Sequence, residues 1–296
     1  MNLRRLRYFV AVAEELHFGR AAQRLHIAQP PLSQQIRRLE AELGVELLRR
    51  NRRRVQLTDA GRLLLERGRP LLAEAERTEE LMRRASDGEV GQLRIGYVGT
   101  ASYVILPAIL RAFHERFPEV DLQLEEMTTG PQVAALRAGL LDVGLVRPPV
   151  SDRSLRLTPL VKEELLAALP DTHPLAPLAS VPVHALAPEP FILFLREHGT
   201  GLYDDIIAVC RAAGFSPTIV QETHDTQTIV SLVSAGFGVA LLPASIANFP
   251  HPRVVYKELD GPNANLEIAL AEHLNDPSPL ATHFRAIAQN VAAGVG

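Results

Sequence analysis

A cluster of amide, hydroxyl and guanidinium side chains near the start of one amphipathic segment carries the clearest chemical signal in this chain. Within residues 18–44, apolar residues recur with helical spacing along one side of the second half. Amides and hydroxyls read base edges in a DNA major groove, and arginine reads guanine or holds a phosphate. An ordinary solvated helix face is the alternative interpretation. The members of this polar face are Gln29, Pro30, Pro31, Ser33, Gln34, Arg37 and Arg38.

Two features of the sequence favour DNA binding over a solvated face. The polar residues crowd the N-terminal end of their helix, which is the end that a recognition helix inserts into a groove. Residues 47–57 then place five arginines, from Arg49 to Arg54, between two pairs of apolar residues. This pattern predicts a β-hairpin with a basic tip, a wing able to reach phosphates or a minor groove. The wing arginines assigned to DNA are Arg50, Arg52, Arg53 and Arg54.

Three helices are predicted to position the polar face. The first covers residues 3–16, with Asn2 as its N-cap, and supports the other two. The second is short and is joined to the third by the turn at residues 26–28, which suits a helix-turn-helix crossing. The third tolerates two prolines in its first turn, where a missing N–H costs nothing, and Gly44 ends it.

Residues 6–61 resemble the winged helix-turn-helix of LysR-type transcriptional regulators. The matching pieces are LRYFVAVAEELHFGRAAQRLHIAQPPLSQQIRRLEAELGVELLRR and LTDAG. The resemblance implies binding to double-stranded promoter DNA at a pseudo-palindromic site, with RNA polymerase as a further candidate partner. One departure lies at Ala28, where the family usually has a serine that caps the recognition helix. Losing a cap costs about 1 kcal/mol, so a slightly less well fixed helix start is expected.

A long helix is predicted after the wing, over residues 59–86, with Thr58 as its cap. Small residues dominate its heptad seam, which permits close approach by a second copy of the helix and predicts a homodimer. Packing of this helix on its own domain is the alternative. Pro70 predicts a kink near residues 66–70. In the family this is the linker helix that pairs subunits, and effector domains pair as well to make a homotetramer. The seam residues are Leu64, Gly68, Leu71, Ala75, Thr78, Met82 and Ala85.

From residue 93 onward, short apolar strands alternate with helices. This rhythm predicts a parallel sheet with helices on its faces. Continued along the chain, it gives a two-lobed α/β body in which strands near residues 160 and 266 cross between lobes. The phrases ELLAALPDTHPLA and SAGFGVALLPAS resemble the periplasmic-binding-protein-like effector domain of the same family.

Small hydroxyl-bearing residues follow several strands at one predicted edge of the sheets. Ligands of parallel α/β sheets bind beyond that edge, where helix N-termini point. Arg147 adds a positive charge there, so the edge predicts a cradle for a carboxylate; taken singly, each residue also suits an ordinary cap or turn. The resemblance places Thr100, Thr129 and Arg147 where regulators responsive to benzoate, muconate and related acids contact their effectors. The effector-binding candidates are Thr100, Ser102, Thr128, Thr129, Arg147, Thr200, Gly201 and Asp225.

Charge is unevenly distributed along the 296 residues. Residues 1–60 hold twelve arginines against six acids, a balance of +6, so the remainder carries −9 of the total of −3. A basic head on an acidic body is typical of a DNA-binding domain joined to a different working domain. No apolar run approaches a membrane span, and no secretory segment is visible at the N-terminus. One cysteine excludes a disulfide within the chain and favours a cytoplasmic protein.

Enzymatic motifs are missing from the sequence. The ten histidines form no close metal-ligand pair with cysteine or acid, and there is no Walker loop, dinucleotide fingerprint or nucleophile elbow. Cys210 has apolar neighbours, which favours a buried structural cysteine. Adjacent acids such as Glu163 and Glu164 are expected to point in different directions as solvated charge. The chain is therefore predicted to be no enzyme and to need neither cofactor nor metal. A transport solute-binding protein is disfavoured by the basic head.

The predicted fold is α/β with an all-α winged helix-turn-helix domain at the N-terminus, a long linker helix and a two-lobed effector domain. The predicted function is that of a LysR-type regulator of the benzoate, muconate and chlorocatechol-responsive subgroup, sensing a small organic acid between its lobes. The alternative is a ligand-independent DNA-binding repressor with a degenerate effector domain. The expected boundaries are 1–58 for the DNA-binding domain, 59–87 for the linker helix, 88–92 for a hinge, 93–162 with 267–296 for lobe I, and 163–266 for lobe II.

Overall fold

The computed structural model describes residues 2–50, 54–196, 200–275 and 277–295. Its contacts divide the chain into two compact units, Met1–Arg84 and Ala85–Gly296. Within the described residues, every helix is too short or too polar to cross a membrane.

The N-terminal unit contains the predicted helices and the predicted hairpin. Strands β1 and β2 pair antiparallel, with Leu48 opposite Leu57, which confirms the wing. The elements are α1 (Leu3–Glu15), α2 (Phe18–Arg24), α3 (Gln29–Leu43), β1 (Leu48–Arg50), β2 (Val55–Leu57) and α4 (Asp59–Ser86).

Capping residues mark three of the helix ends. The Asn2 carboxamide oxygen accepts a hydrogen bond from the Arg4 N–H at 2.8 Å and caps α1. The Thr58 hydroxyl accepts from the Gly61 N–H at 2.9 Å and caps α4, as predicted. Gly44 ends α3 in the left-handed region with φ 69°. Each cap satisfies a backbone group that its helix leaves unpaired, so the starts of α1 and α4 and the end of α3 are fixed.

The first half of the heptad seam on α4 packs against its own domain rather than outward. A Cβ added at Gly68 would lie 2.7 Å from a methyl carbon of Leu6, and Leu72 is buried in the same core. Leu64 packs partly against that core too. The alternative interpretation is therefore correct for this half, because α1 offers a complementary apolar face. Leu71 and Met82, at 48% and 57% exposed, are the large seam residues left uncovered in this chain.

Lobe I of the C-terminal unit is a five-stranded sheet in the order β4-β3-β5-β13-β6. Strand β3 is parallel to β4 and β5, whereas β13 is antiparallel to both β5 and β6. The strands are β3 (Gly91–Tyr97), β4 (Val120–Glu126), β5 (Val143–Val146), β6 (Leu155–Glu163) and β13 (Leu266–His273). The helices are α5 (Ala101–Val104), α6 (Leu106–Arg116), α7 (Thr129–Arg137) and α10 (Pro279–Val295).

Lobe II contains a four-stranded sheet in the order β11-β7-β12-β8 and the parallel pair β9 and β10. A bridge between Phe191 and Val239 joins β9 to the segment that leads into β11. The strands are β7 (Leu165–Pro170), β8 (Ser180–Pro182), β9 (Pro190–Phe194), β10 (Thr218–Thr223), β11 (Ala240–Pro243) and β12 (Val254–Asp260). The helices are α8 (Thr200–Ala212) and α9 (Thr226–Ser234), with 3₁₀ turns at Val183–Leu186 and Ala244–Asn248.

Strands β3, β4 and β5 are parallel, as the alternation of strands and helices predicted, but the sheet of each lobe as a whole is mixed. The antiparallel strands arise where the chain crosses between the lobes, and these crossings were also predicted. The chain leaves lobe I at the end of β6, enters lobe II as β7, and returns from β12 into β13. A direct return without an intervening helix places β13 antiparallel to β5. The Asn263 side chain links the two crossings, because it accepts from the Leu165 N–H at 3.0 Å and donates to the Leu165 carbonyl at 3.1 Å.

Lobe II also contains the single cysteine. Cys210 lies on α8 within the apolar core of this lobe and is fully buried. Burial raises the pKa of its thiol to about 11, so the thiolate needed for nucleophilic chemistry is disfavoured at neutral pH.

We expect Glu272→Ala to destabilise the C-terminal unit by about 3 kcal/mol, the low end of the range for breaking a buried ion pair. Glu272 is fully buried on β13 and accepts from Arg156 at 3.1 Å and from Arg285 on α10. The estimate is low in that range because both arginines are partly exposed and can rehydrate. Urea unfolding measures the loss, with Glu258→Ala, at an exposed glutamate of β12, as control. Equal stability of the two variants would contradict this role.

Candidate DNA-binding surface and effector cleft

The N-terminal half of α3 presents the predicted polar face to solvent. Gln29, Pro30, Pro31, Gln34, Arg37 and Arg38 are exposed, and Ser33 is half-buried. The opposite side of the helix is anchored by Leu32, Ile36 and Leu39, which are fully buried. The core therefore fixes the rotation of α3 about its axis, and the amides and guanidinium groups point away from the domain.

Ion pairing distinguishes the arginines of this unit whose charge is neutralised from those whose charge is free. Arg37 and Arg38 are exposed and form no ion pair with any described residue. Their charge is thus free for a phosphate or a guanine. Other arginines of the same unit are neutralised by acids: Arg5 by Glu42, Arg7 by Glu76, Arg20 by Glu15, Arg24 and Arg69 by Glu14, and Arg62 by Asp59.

We expect Ala28→Ser to change the stability of the N-terminal unit by less than about 0.5 kcal/mol. Ala28 is the N-cap of α3, has extended backbone geometry and supplies no side-chain hydrogen bond. An N-cap hydroxyl accepts from the N–H of the second or third helical residue, but those residues are Pro30 and Pro31, which have no N–H. A thermal melt compares the serine variant with the wild type. A gain of about 1 kcal/mol would contradict this account of the helix start.

The wing can be described only in part. Its strands form the predicted hairpin, and Arg54 is exposed just before β2. Arg52, Arg53 and the side chain of Arg50 lie outside the described residues. The DNA contacts assigned to these arginines stay predictions.

In the C-terminal unit, Arg147 follows β5 and is the centre of the predicted effector edge. Its side chain is buried and donates to the Thr100 hydroxyl at 3.0 Å. The Thr129 hydroxyl accepts from the Arg147 N–H at 3.0 Å and donates to its carbonyl at 3.3 Å. The three residues that follow β3, β4 and β5 in the predicted edge are thus in direct contact.

Glu163 completes this cluster and was missed in the sequence, where it was expected to be solvated. Its side chain at the end of β6 is 7% exposed and lies 3.6 Å from the Arg147 guanidinium. Its second carboxylate oxygen accepts from the Ser245 N–H of lobe II at 2.9 Å. One carboxylate therefore connects a cation of lobe I with the backbone of lobe II. The signal available in the sequence was Arg147 itself, since a buried arginine requires a counter-charge.

Burial and nearby acids shift the pKa of Arg147 in opposite directions. Burial lowers the pKa of its guanidinium, and Glu163 and Asp205 of α8 oppose that effect. Burial likewise raises the pKa of Asp205, which Arg147 counteracts. One Nη of Arg147 and the hydroxyl of Ser245 are buried and make no hydrogen bond to the described residues. Buried polar groups are normally satisfied, so this pair of donors suits a ligand oxygen.

The remaining effector candidates differ in what they contact. A Cβ added at Gly201 would lie 3.7 Å from the Pro148 carbonyl, so the start of α8 in lobe II approaches the segment just after Arg147. Asp225 caps α9, and its two oxygens accept from the N–H and hydroxyl of Thr228. Ser102 donates to the Gly99 carbonyl. Thr128 is the N-cap of α7 and its side chain makes no capping bond, while the side chain of Thr200 lies outside the described residues.

A second contact between the lobes involves Tyr103, which the sequence did not single out. Its ring meets Phe249 edge to face, with ring centroids 5.0 Å apart. The Asn248 side chain also donates to the Tyr103 carbonyl at 3.3 Å. The lobes are therefore joined at Tyr103 by aromatic packing and at Glu163 by a hydrogen bond from the Ser245 N–H.

A groove beside α8 is a weaker candidate. It has a volume of about 720 Å³ and includes Arg196, Tyr203 and Arg211. Arg196 is already paired with Asp204 at 3.0 Å, and both side chains are more than half exposed. Within the described residues, no cluster of histidine, cysteine or acidic side chains has the arrangement of a metal site.

Both units match known protein families. Residues 3–62 match the family described as bacterial regulatory helix-turn-helix protein, lysR family, and residues 86–293 match the LysR substrate binding domain. HTH-type transcriptional regulator AlsR of Bacillus subtilis is 42% identical over 284 residues, covering 96% of this chain and 94% of that protein. The probable cat1 operon transcriptional activator of Acinetobacter lwoffii is 40% identical, covering 94% of this chain and 92% of that protein.

Solved structures of similar proteins have the same fold over nearly the whole length of this chain. The crystal structure of full-length CbnR in complex with its target DNA has a TM-score of 0.85 at 31% identity, covering 99% of this chain and 100% of that chain. Full-length BenM has a TM-score of 0.64 at 33% identity, covering 99% and 97%.

Proposed function

The chain belongs to the LysR family of bacterial transcriptional regulators, and from that premise we propose that a small organic acid bound between its C-terminal lobes controls its action on promoter DNA. The family membership establishes a DNA-binding helix-turn-helix and an effector-binding domain rather than an enzyme. The acid, its position and its effect on DNA are the proposal. AlsR and CbnR are named as regulators, and the CbnR structure contains its target DNA.

One observation carries the proposal. Arg147 is buried at the lobe boundary with an unsatisfied Nη, and its counter-ion Glu163 also holds the Ser245 N–H across the boundary. A ligand carboxylate can take two parallel hydrogen bonds from a guanidinium group and thereby compete with Glu163. The Ser245 hydroxyl offers a further donor on the opposite lobe.

Competition for Arg147 gives the acid a means of changing the lobe arrangement. The strands cross between lobes near Glu164 and Asn263, so these short segments are the places where the lobes can turn. Displacing Glu163 from Arg147 also alters its bond to Ser245 of lobe II. The ligand shifts the equilibrium only as far as it binds one arrangement better than the other.

The lobe angle acts on DNA through the oligomer in this proposal. The exposed half of α4, from Leu71 to Met82, pairs two subunits so that two recognition helices address two half-sites of a pseudo-palindrome. Effector domains pair as well, and the resulting tetramer bends the promoter. A change of lobe angle then alters the separation of the DNA-binding domains. The altered separation changes the shape of the promoter DNA that RNA polymerase binds.

A thermal-shift screen of the purified protein against small aromatic and dicarboxylic acids tests the effector part. An acid present at 100 times its Kd stabilises the native state by about 2.7 kcal/mol, which is readily seen as a rise in Tm. We expect a saturable rise with one chemical class, and none with the matching amides or alcohols. Equal shifts with acid and amide would contradict recognition of the carboxylate, and no shift with any acid would favour a ligand-independent repressor.

A further inference from the structure

A basic pocket lies beside the recognition helix, between the start of α1 and one flank of α3. It has a volume of about 520 Å³, and its walls include Arg4, Arg5, Tyr8, Pro31, Gln35 and Arg38. Both α1 and α3 are fixed in the same core, so the pocket walls keep their separation.

Two of the three arginines in this pocket keep their charge free. Arg5 is neutralised, since it pairs with Glu42 and its Nε donates to the Gln35 side chain at 3.1 Å. Arg4 and Arg38 are exposed and form no ion pair with any described residue. The pocket therefore presents two unneutralised positive charges, which favours an anion.

The side chain of Tyr8 adds an oriented donor. Arg4 Nε donates to the Tyr8 hydroxyl oxygen at 2.8 Å, and the Arg4 guanidinium carbon stands 5.5 Å from the centre of the ring. Because that oxygen accepts from Arg4, its own hydrogen is left to donate to another group. Tyr8 is 8% exposed, so packing holds its ring in one position.

We propose that this pocket binds a backbone phosphate of the DNA, outside the bases that α3 contacts; this rests on the proposed DNA-binding function. Pro31 and Arg38 belong to α3, so a phosphate held here borders the groove that the helix enters. The charged ends of Arg4 and Arg38 and the Tyr8 hydroxyl supply donors suited to phosphate oxygens. Such a contact sets the position of α3 on the duplex without reading sequence.

The test compares Arg4→Gln with Arg7→Gln in the full chain, using a random-sequence duplex and a duplex selected by the protein from a random pool. Both arginines lie on α1 and both changes remove one charge, but Arg7 is exposed and pairs with Glu76 at 3.5 Å. We expect Arg4→Gln to weaken binding to both duplexes by the same factor. It should also reduce the slope of log Kobs against log salt by about 0.9, the value for one phosphate contact.

Tyr8→Phe separates the donor from the charge. It should weaken binding to both duplexes and leave the salt slope unchanged, because no charge is removed. A wild-type slope for Arg4→Gln, or an equal fall for Arg7→Gln, would overturn the pocket. Wild-type binding to the selected duplex with no effect of Arg4→Gln would reject the pocket alone. Failure of the wild type to bind any duplex would reject the DNA-binding function as well.

Discussion

Arg147→Gln is expected to abolish the response to the acid while leaving DNA affinity unchanged. Removing one partner of a buried charged contact costs about 2–5 kcal/mol, so the Kd for the acid should rise about 30-fold or more. The acid-dependent rise in Tm should disappear over the same concentration range. Calorimetric titration with the acid found in the screen measures the change, and a mobility-shift assay checks the DNA affinity.

The Arg147 variant leaves Glu163 buried without its cation, which destabilises the fold for a reason unrelated to the ligand. The double variant Arg147→Gln with Glu163→Gln removes both charges and should recover stability without recovering acid binding. Glu163→Gln alone should bind the acid more tightly, because the resident carboxylate no longer competes for Arg147. Arg137→Gln, at an exposed arginine of α7 paired with Asp152, is the control and should bind the acid normally. Retained acid binding in the double variant would place the ligand elsewhere.

Gln34→Ala is expected to reduce the preference for the selected duplex over random DNA by about 5- to 150-fold. A good amide contact with a base edge contributes about 1–3 kcal/mol of discrimination, and Gln34 is exposed on the polar face of α3. Arg53→Ala, a wing position taken from the sequence, should instead weaken both duplexes alike and flatten the salt dependence. Competition binding against the two duplexes at several salt concentrations distinguishes these effects.

Gln23→Ala is the matched control for Gln34→Ala. It also removes an exposed glutamine, but from α2, the helix that precedes the recognition helix. Its ratio of specific to random binding should equal that of the wild type even if affinity changes. A wild-type ratio for Gln34→Ala would show that the role of α3 was wrongly assigned. A changed ratio or an unchanged salt slope for Arg53→Ala would show the same for the wing.

Local signals in the sequence were sufficient for most of the fold. Asn2, Thr58 and Gly44 mark helix ends, and the structure places caps at each of them. The crossing strands near residues 160 and 266 were also predicted. The direction of β13 was not predicted, because its antiparallel pairing with β5 depends on the path of the chain through lobe II.

Contacts between distant segments explain what the sequence did not reveal. Thr100, Thr129 and Arg147 were expected at one edge and do meet, because the ends of parallel strands share an edge. Glu163 was missed, because two adjacent acids suit solvated charge and give no sign of an arginine brought from another strand. Half of the seam on α4 was likewise assigned to a partner because Gly68 gives no local sign that Leu6 covers it.

The most direct test of effector control measures DNA bending with and without the acid. A duplex selected by the protein carries a donor and an acceptor fluorophore at its two ends, and energy transfer reports their separation. With wild-type protein bound, the acid should change the transfer efficiency, and the change should saturate at the same acid concentration as the rise in Tm. Arg147→Gln should bend the duplex as the acid-free wild type does, at every acid concentration. An acid that raises Tm but leaves energy transfer and DNA affinity unchanged would contradict effector control.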